Sequence, residues 1–295
     1  MIITVQGDWN TIFQKKIEET LERDILPSYI KGCRWFGAKT REIVMAEIVE
    51  DIAIGESLSA SHLLLLEIHY TEDAPDLYLL PLSFASGDDA VKIAQDNPQA
   101  IIAQVKGDDG EGIIFDAVYD KSFQENIFSL ISLNQKISGT KGKLIAYQGK
   151  IFNVHKKKFS PHESRVLKAD QSNTSFFYGQ DFFFKLYRHL NKGINPELEI
   201  ERFLTEKQSF PHIPALEGAI EYIEEGHESI VMGILEQFVP NKGDAWSFTL
   251  DEIGKYFDLN ISIKYFSEKD FLASKLFSLS LFLRYSAFTS PLSIL

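Results

Sequence analysis

Residues 171–188 read QSNTSFFYGQDFFFKLYR, and after a short break the helical run Pro196 to Glu206 follows. A small polar turn of Ser172, Asn173, Thr174 and Ser175 is expected to lead through Gly179 into an apolar strand. That strand carries one cation, Lys185, among Phe182, Phe183, Phe184, Leu186 and Tyr187. An ammonium there is costly to bury without an anion, although its stem is long enough to carry it out to solvent. Two kinds of anion can meet it. A phosphate suits the close backbone N–H groups and small hydroxyls of such a turn. A carboxylate can come from the next element, where Pro196 fits a first helical position and Leu198, Ile200, Phe203 and Leu204 form an apolar stripe. Glu197, Glu199, Glu201 and Glu206 share that helix, and spacing alone leaves Glu199 and Glu201 as competitors for Lys185. The stretch contains neither a Walker loop nor a GxGxxG.

Working outward, Ile230 to Trp246 (IVMGILEQFVPNKGDAW) reads as an apolar strand ending in Glu236, Gln237, Phe238, Val239 and Pro240. Backbone N–H and C=O groups at such a strand end can read the edge of a nucleobase. Upstream, residues 9 to 30 begin with Asp8 or Asn10 as cap and place Phe13, Ile17, Leu21, Ile25 and Leu26 at helical spacing, with Pro27 interrupting or ending the run. Strands are expected at 43–49, 63–70 and 77–84, so the first hundred residues read as a small α+β module. The acidic, Gly-rich GDDGEG at 107–112 suggests a boundary; it lacks the ligand spacing of an EF-hand loop. A helix over 122–133 and paired strands at 144–147 and 151–155 come next. From Val166 the pattern is strand, turn, strand, helix, strand.

With 295 residues the chain is long enough for two or more units. Its formal net charge of -12 argues against a nucleic-acid surface, and the one basic cluster, Lys156 to Lys158, reads as a solvated loop. The single cysteine, Cys33, permits no intrachain disulfide, and the N-terminus has no signal-peptide pattern; both fit a cytoplasmic location. No membrane span is expected, because Lys275 and Arg284 break the apolar tail. The seven His residues show no metal spacing, and no Ser/His/Asp or paired-carboxylate arrangement supports a hydrolase.

Four segments together resemble one family. Leu26-Pro27-Ser28-Tyr29 with Arg34-Trp35-Phe36-Gly37-Ala38-Lys39 resembles the LPxYLxxQRWFGGK signature of the bacterial maltokinase cap. QSNTSFFYGQDFFFKLYR is similar to that family's QSNTS...KLxR segment. Asn195-Pro196-Glu197-Leu198-Glu199 with Arg202-Phe203-Leu204 resembles its NPDxE...RFL helix, and residues 237–246 resemble its hinge. The matches run in order from about residue 20 to residue 256.

The resemblance implies an α+β chain: a maltokinase N-terminal cap over 1–105, then an intermediate region and a protein-kinase-like, aminoglycoside-phosphotransferase-like small lobe over 106–240. Residues 241–295 would begin a helical large lobe, most of it missing, and end in an aberrant tail. The implied reaction is ATP-dependent phosphorylation of maltose to maltose 1-phosphate, feeding α-glucan synthesis. ATP would be held by Ser172, Asn173, Thr174, Ser175, Lys185 and the hinge Glu236, Gln237, Phe238 and Val239. Glu199 matches the motif position of the lysine's helix partner. Trp35 and Phe36 are expected to hold a loop onto a sheet, and Arg34 to pair with a carboxylate. The family also occurs fused to trehalose synthase, so a non-catalytic module docking on such a partner is the alternative.

Where the family would continue with an HGD-type loop bearing the catalytic Asp and an Asp-containing Mg motif, this sequence has neither; no His follows residue 227. Without base and metal ligands the 295-residue chain is expected to lack maltokinase activity. The tail, FLASKLFSLSLFLRYSAFTSPLSIL from Phe271, is expected to reflect a change of reading frame near Leu276.

Overall fold

The computed structural model describes residues 1–5, 9–55, 60–107, 110–152, 163–167, 172–241, 243, 245–262 and 275. Asp8, Asp108 and Asp109 of the GDDG run, Lys156 to Lys158, Gln171, Lys242, Asp244 and the tail from Phe271 apart from Lys275 lie outside the described residues. Two compact units result: 1–209 with 215–238, and 210–214 with 239–295.

The first unit contains two sheets. One is ordered β1-β5-β6-β4-β3-β2, built from β1 (Ile2–Thr4), β2 (Ile43–Ile54), β3 (Ser61–Tyr70), β4 (Asp76–Ser86), β5 (Ile101–Gly107) and β6 (Gly110–Asp116). The other is ordered β7-β8-β13-β14-β11-β10-β9. It comprises β7 (Lys136–Ser138), β8 (Lys143–Gln148), β9 (Ser164–Val166), β10 (Asn173–Tyr178), β11 (Phe182–Tyr187), β13 (Leu216–Ile223) and β14 (Ile230–Gln237). The two-residue strand β12 (His189–Leu190) follows β11 directly but pairs with β4 of the first sheet. The architecture is α+β, as expected.

The sequence of β3, SHLLLLEIHY, shows why the sheets stack. Leu64, Leu66 and Ile68 pack with Leu21, Ile25, Leu26, Ile30, Trp35 and Phe36 of the N-terminal helices and the loop after them. Leu63 and Leu65 point the other way, into a core shared with Phe123, Ile127 and Ile131 of helix Lys121–Ser132 and with Phe176, Phe184 and Leu235 of the second sheet. A strand covered on both faces has no polar face to alternate with, so it reads as a continuous apolar run. One hydrophobic core therefore spans both sheets.

Glu50 of β2 bolts the sheets together a second time. It accepts hydrogen bonds from the backbone N–H of Thr140 (2.6 Å), Lys141 (2.9 Å) and Gly142 (2.8 Å), from the Thr140 hydroxyl and from Tyr222 Oη (2.7 Å). Burial works against the charged form, yet these donors hold the carboxyl down at about 2.

Several local expectations change. The run 9–30 is not one helix. It passes through a 3-10 turn (Trp9–Phe13), an α-helix (Lys15–Thr20), a π-helical turn (Leu21–Ile25) and a second α-helix (Leu26–Gly32), with Pro27 in the first turn of the last. Proline lacks an N–H, and the wider turn before it removes the demand for one. The boundary expected near 106 falls inside the β5–β6 hairpin, where Lys106 pairs with Glu111, so the first sheet runs on to Asp116. Ile151 and Phe152 form a turn and a helical residue rather than a strand; 153–155 lie outside the described residues.

In the second unit, Asn241 Oδ1 accepts from the Gly243 N–H at 3.1 Å shortly before helix Ala245–Ser262. Among the described residues no helix is long and apolar enough to cross a membrane.

Candidate functional site

Lys185 lies in mid-strand on β11, directly opposite Ser175 of β10 and Ile234 of β14. Alternation along the strands divides the sheet: Thr174, Phe176, Phe184 and Leu186 enter the shared core, while Ser175, Phe177, Phe183, Lys185 and Glu236 share the opposite face. The tight reversal joining β10 to β11 is Gly179 to Asp181, with Gly179 at φ 60° where a side chain would be strained. The expected polar turn is therefore displaced. Asn173, Thr174 and Ser175 are strand residues paired with Tyr187, Leu186 and Lys185, and only the exposed Ser172 precedes the strand.

Helix Pro196–Glu206 brings the carboxylates. Asn195 caps it by accepting from the Leu198 N–H at 3.1 Å, and Pro196 opens it. The apolar stripe expected from spacing is only partly realised: Leu198 is buried, but Ile200 and Phe203 are exposed. The buried side presents Leu198 and Thr205, and Glu197 and Glu201 lie one turn apart beside it. Glu197 hydrogen-bonds the Lys185 ammonium and accepts from Tyr187 Oη at 2.6 Å. Glu199, the position matched by the motif, is exposed. Helical phase decides this: two residues turn a side chain about 200° round the axis. Glu236 Oε1 stands 3.9 Å from Lys185 Nζ. Burial lowers the lysine's affinity for its proton, but the surrounding glutamates outweigh it and leave the ammonium's pKa raised. Three carboxylates converge here around one ammonium, which already neutralises part of their charge.

The strand-end expectations fare differently residue by residue. Glu236 and Gln237 belong to β14, and the Gln237 N–H is bonded to Ala215 O at 2.8 Å. The Phe238 N–H is bonded to Asp181 O at 2.8 Å, so neither amide is open to a base edge. Val239 is exposed. Thr174 Oγ1 accepts from Arg188 Nε at 2.8 Å inside the protein, and Ser175 is buried with its hydroxyl unpartnered.

Sequence reasoning passed over two neighbours of Lys185 on its own face. Phe177 packs against Phe183 (5.2 Å between ring centroids) and against Phe238 (5.5 Å), with the Arg165 guanidinium 4.3 Å from its ring. An aromatic patch two positions along the strand from a fixed ammonium is the kind of surface on which a planar ring can stack. The signal was the alternation itself, Phe183 and Lys185 being two apart. Elsewhere, on the first sheet, His69 bonds Glu47 at 2.9 Å and lies 3.5 Å from Glu67, and the two glutamates stand directly opposite each other.

Residues 29–120 match the family model of the maltokinase N-terminal cap domain. The matched residues take in β2 to β6 of the first sheet. Among solved structures, the chain is similar to a glucosamine kinase in complex with glucosamine, ADP and inorganic phosphate: 10% identity, TM-score 0.44, covering 77% of this chain and 42% of that one. A second structure of glucosamine kinase, crystal form A, matches at 11% identity and TM-score 0.41, over 70% of this chain and 38% of that one. The chain thus spans about two fifths of the length of these kinases.

Proposed function

We propose that this chain is the cap and nucleotide-holding part of an ATP-dependent sugar kinase of the maltokinase family, with maltose as the phosphoryl acceptor of the whole enzyme. The observation that carries the reading is the Lys185–Glu197 pair: a strand lysine fixed by a carboxylate of the following helix, beneath a maltokinase cap. In phosphoryl transfer such a lysine meets the α- and β-phosphates, and its helix partner holds it in place. Phe177 and Phe183 offer the base a stacking surface on the same face.

The magnesium that accompanies ATP neutralises charge on the phosphates when bound. No residue of this chain is assigned to it; Glu197 is paired with the Lys185 ammonium and Glu236 stands 3.9 Å from it. Lys185 binds and orients the phosphates, and Glu197 holds Lys185 in place; removal of the sugar hydroxyl proton requires a base that no motif in this sequence supplies. We therefore infer nucleotide binding without sugar phosphorylation for the 295-residue chain.

Calorimetric titration of the protein with ATP, with and without magnesium, tests this. Binding in the micromolar to millimolar range that Lys185→Met removes supports the reading. An unchanged titration curve for Lys185→Met, or no binding by a folded protein, overturns it.

A further inference from the structure

Behind Lys185 stand two acids that the nucleotide reading does not employ. Glu201 comes from helix Pro196–Glu206 and Glu236 from β14. One carboxylate oxygen each from Glu197, Glu201 and Glu236 lies within 4.8 Å of the other two. The Glu236 side chain is 8% exposed and the Lys185 side chain 21%. Glu201 Oε2 is sealed from water and has no hydrogen-bond partner, and the same holds for Ser175 Oγ on the facing strand.

The charges do not balance as they stand. Three ionised carboxylates around one ammonium would leave two uncompensated negative charges in a pocket where the Glu236 side chain is 8% and the Glu197 side chain 30% exposed, facing the place where a phosphate is to bind. From β11 the cluster meets Lys185 and Tyr187, from β14 Glu236, from β10 the neutral Ser175, and from the helix Glu197 and Glu201. Among these described groups Lys185 is the one cation. Two carboxyls in contact away from water cannot both ionise cheaply. Burial, followed for Glu201 by the charge of Glu236, pushes the affinity of that pair for a proton well up.

We propose that Glu201 and Glu236 hold one proton between them through the neutral range, and that nucleotide binding at Lys185 is linked to the presence of that proton. The linkage half rests on the nucleotide reading above; the shared proton does not. With the proton in place Lys185 faces one surplus negative charge instead of two, and an incoming phosphate meets correspondingly less repulsion. Loss of the proton at alkaline pH turns Lys185 towards the carboxylates and away from the ligand.

Two measurements on the full chain separate the halves. Carbon-detected NMR of carboxyl-labelled glutamate, assigned with Glu201→Gln and Glu236→Gln, follows titration from pH 5 to 9.5. A carboxyl of this pair still protonated at pH 8 supports the proposal; both titrating near the ordinary glutamate value of about 4.3 overturn it. ATP affinity is then compared at pH 7 and 9.5, with thermal melts verifying the fold. The wild type is expected to weaken at least several-fold at the higher pH, and Glu201→Gln, which cannot ionise, to weaken much less. Equal weakening in both proteins overturns the linkage, as does a tenfold tightening of Glu201→Gln at pH 7, which would mean both acids were charged. If Glu201→Gln misfolds, Glu236→Gln takes its place. If ATP binds at neither pH, the nucleotide reading fails with the linkage, and the carboxyl titration decides the shared proton alone.

Discussion

Arg188 Nη2 and Asp116 Oδ2 lie 2.6 Å apart with side chains 1% and 2% exposed, tying the end of β11 in one sheet to the end of β6 in the other. Arg188 also gives Nε to Thr174 and lies 4.9 Å from the Trp35 ring, while Tyr29 Oη reaches Asp116 at 3.5 Å. Trp35, expected to hold a loop onto a sheet, is the floor under this guanidinium. Removing one partner of a buried pair strands the other charge, at a cost of about 3–5 kcal/mol. Asp116→Ala is therefore expected to lower the urea midpoint sharply. A shift equivalent to less than ~1 kcal/mol would show that Arg188 finds other compensation.

Glu50 gives a pH test. Its folded pKa, about 2, lies below the ordinary glutamate value. Its contribution is therefore fully present above the unfolded value of about 4.3 and is lost as pH falls through the folded one. Urea denaturation at pH 6 and pH 3 should show a loss in the wild type that is smaller in Glu50→Gln. The variant should already be weaker at pH 6, since Gln leaves some of the five donors without an acceptor, each costing about 1–3 kcal/mol.

For the ligand site, the helix phase makes a discriminating prediction. Glu197→Gln is expected to weaken ATP binding about tenfold, equivalent to ~1.4 kcal/mol, whereas Glu199→Gln leaves it unchanged. Titration calorimetry on both variants reads this. The reverse ranking would place the lysine's partner at the exposed position.

The aromatic patch is tested separately. Phe183→Ala should reduce affinity for ATP and adenosine alike by about 1–3 kcal/mol, the usual loss on removing one stacking partner of a base. An effect on ATP with none on adenosine would mean that Phe183 acts through Lys185 and not by touching the base.

Cys33 provides a probe of the cap. Burial first, then the nearby Asp116 charge, pushes its thiol up to about 12, and its Sγ donates to Tyr29 O at 3.4 Å. At pH 8 the native protein should react with a disulfide reagent far more slowly than the urea-unfolded chain. Comparable rates would show that the loop opens readily.

What the sequence disclosed follows the kind of signal available. Strands β2, β3 and β4 were legible because their apolar runs are long, and the helix at 196 because Asn195 and Pro196 mark its start chemically. The partner of Lys185 was not legible, since Glu197, Glu199 and Glu201 differ only in angle about an axis whose rotation is fixed by Leu198 packing into the sheet. The role of Thr174 was misjudged for a related reason. A hydroxyl in a polar run looks available, and only the fold shows it committed to Arg188.

The two residues of β12 have a consequence for how such a cap can be inherited. Because His189 and Leu190 sit in register with Tyr78 and Leu77, and the Leu79 N–H is bonded to Arg188 O at 2.8 Å, the lysine-bearing strand ends inside the cap's own sheet. A cap grafted onto a foreign kinase would lack this seam and leave part of its sheet edge open. Gene shuffling that preserves folding must therefore move the cap and the Lys185 strand as one piece, with the crossover point placed beyond Leu190.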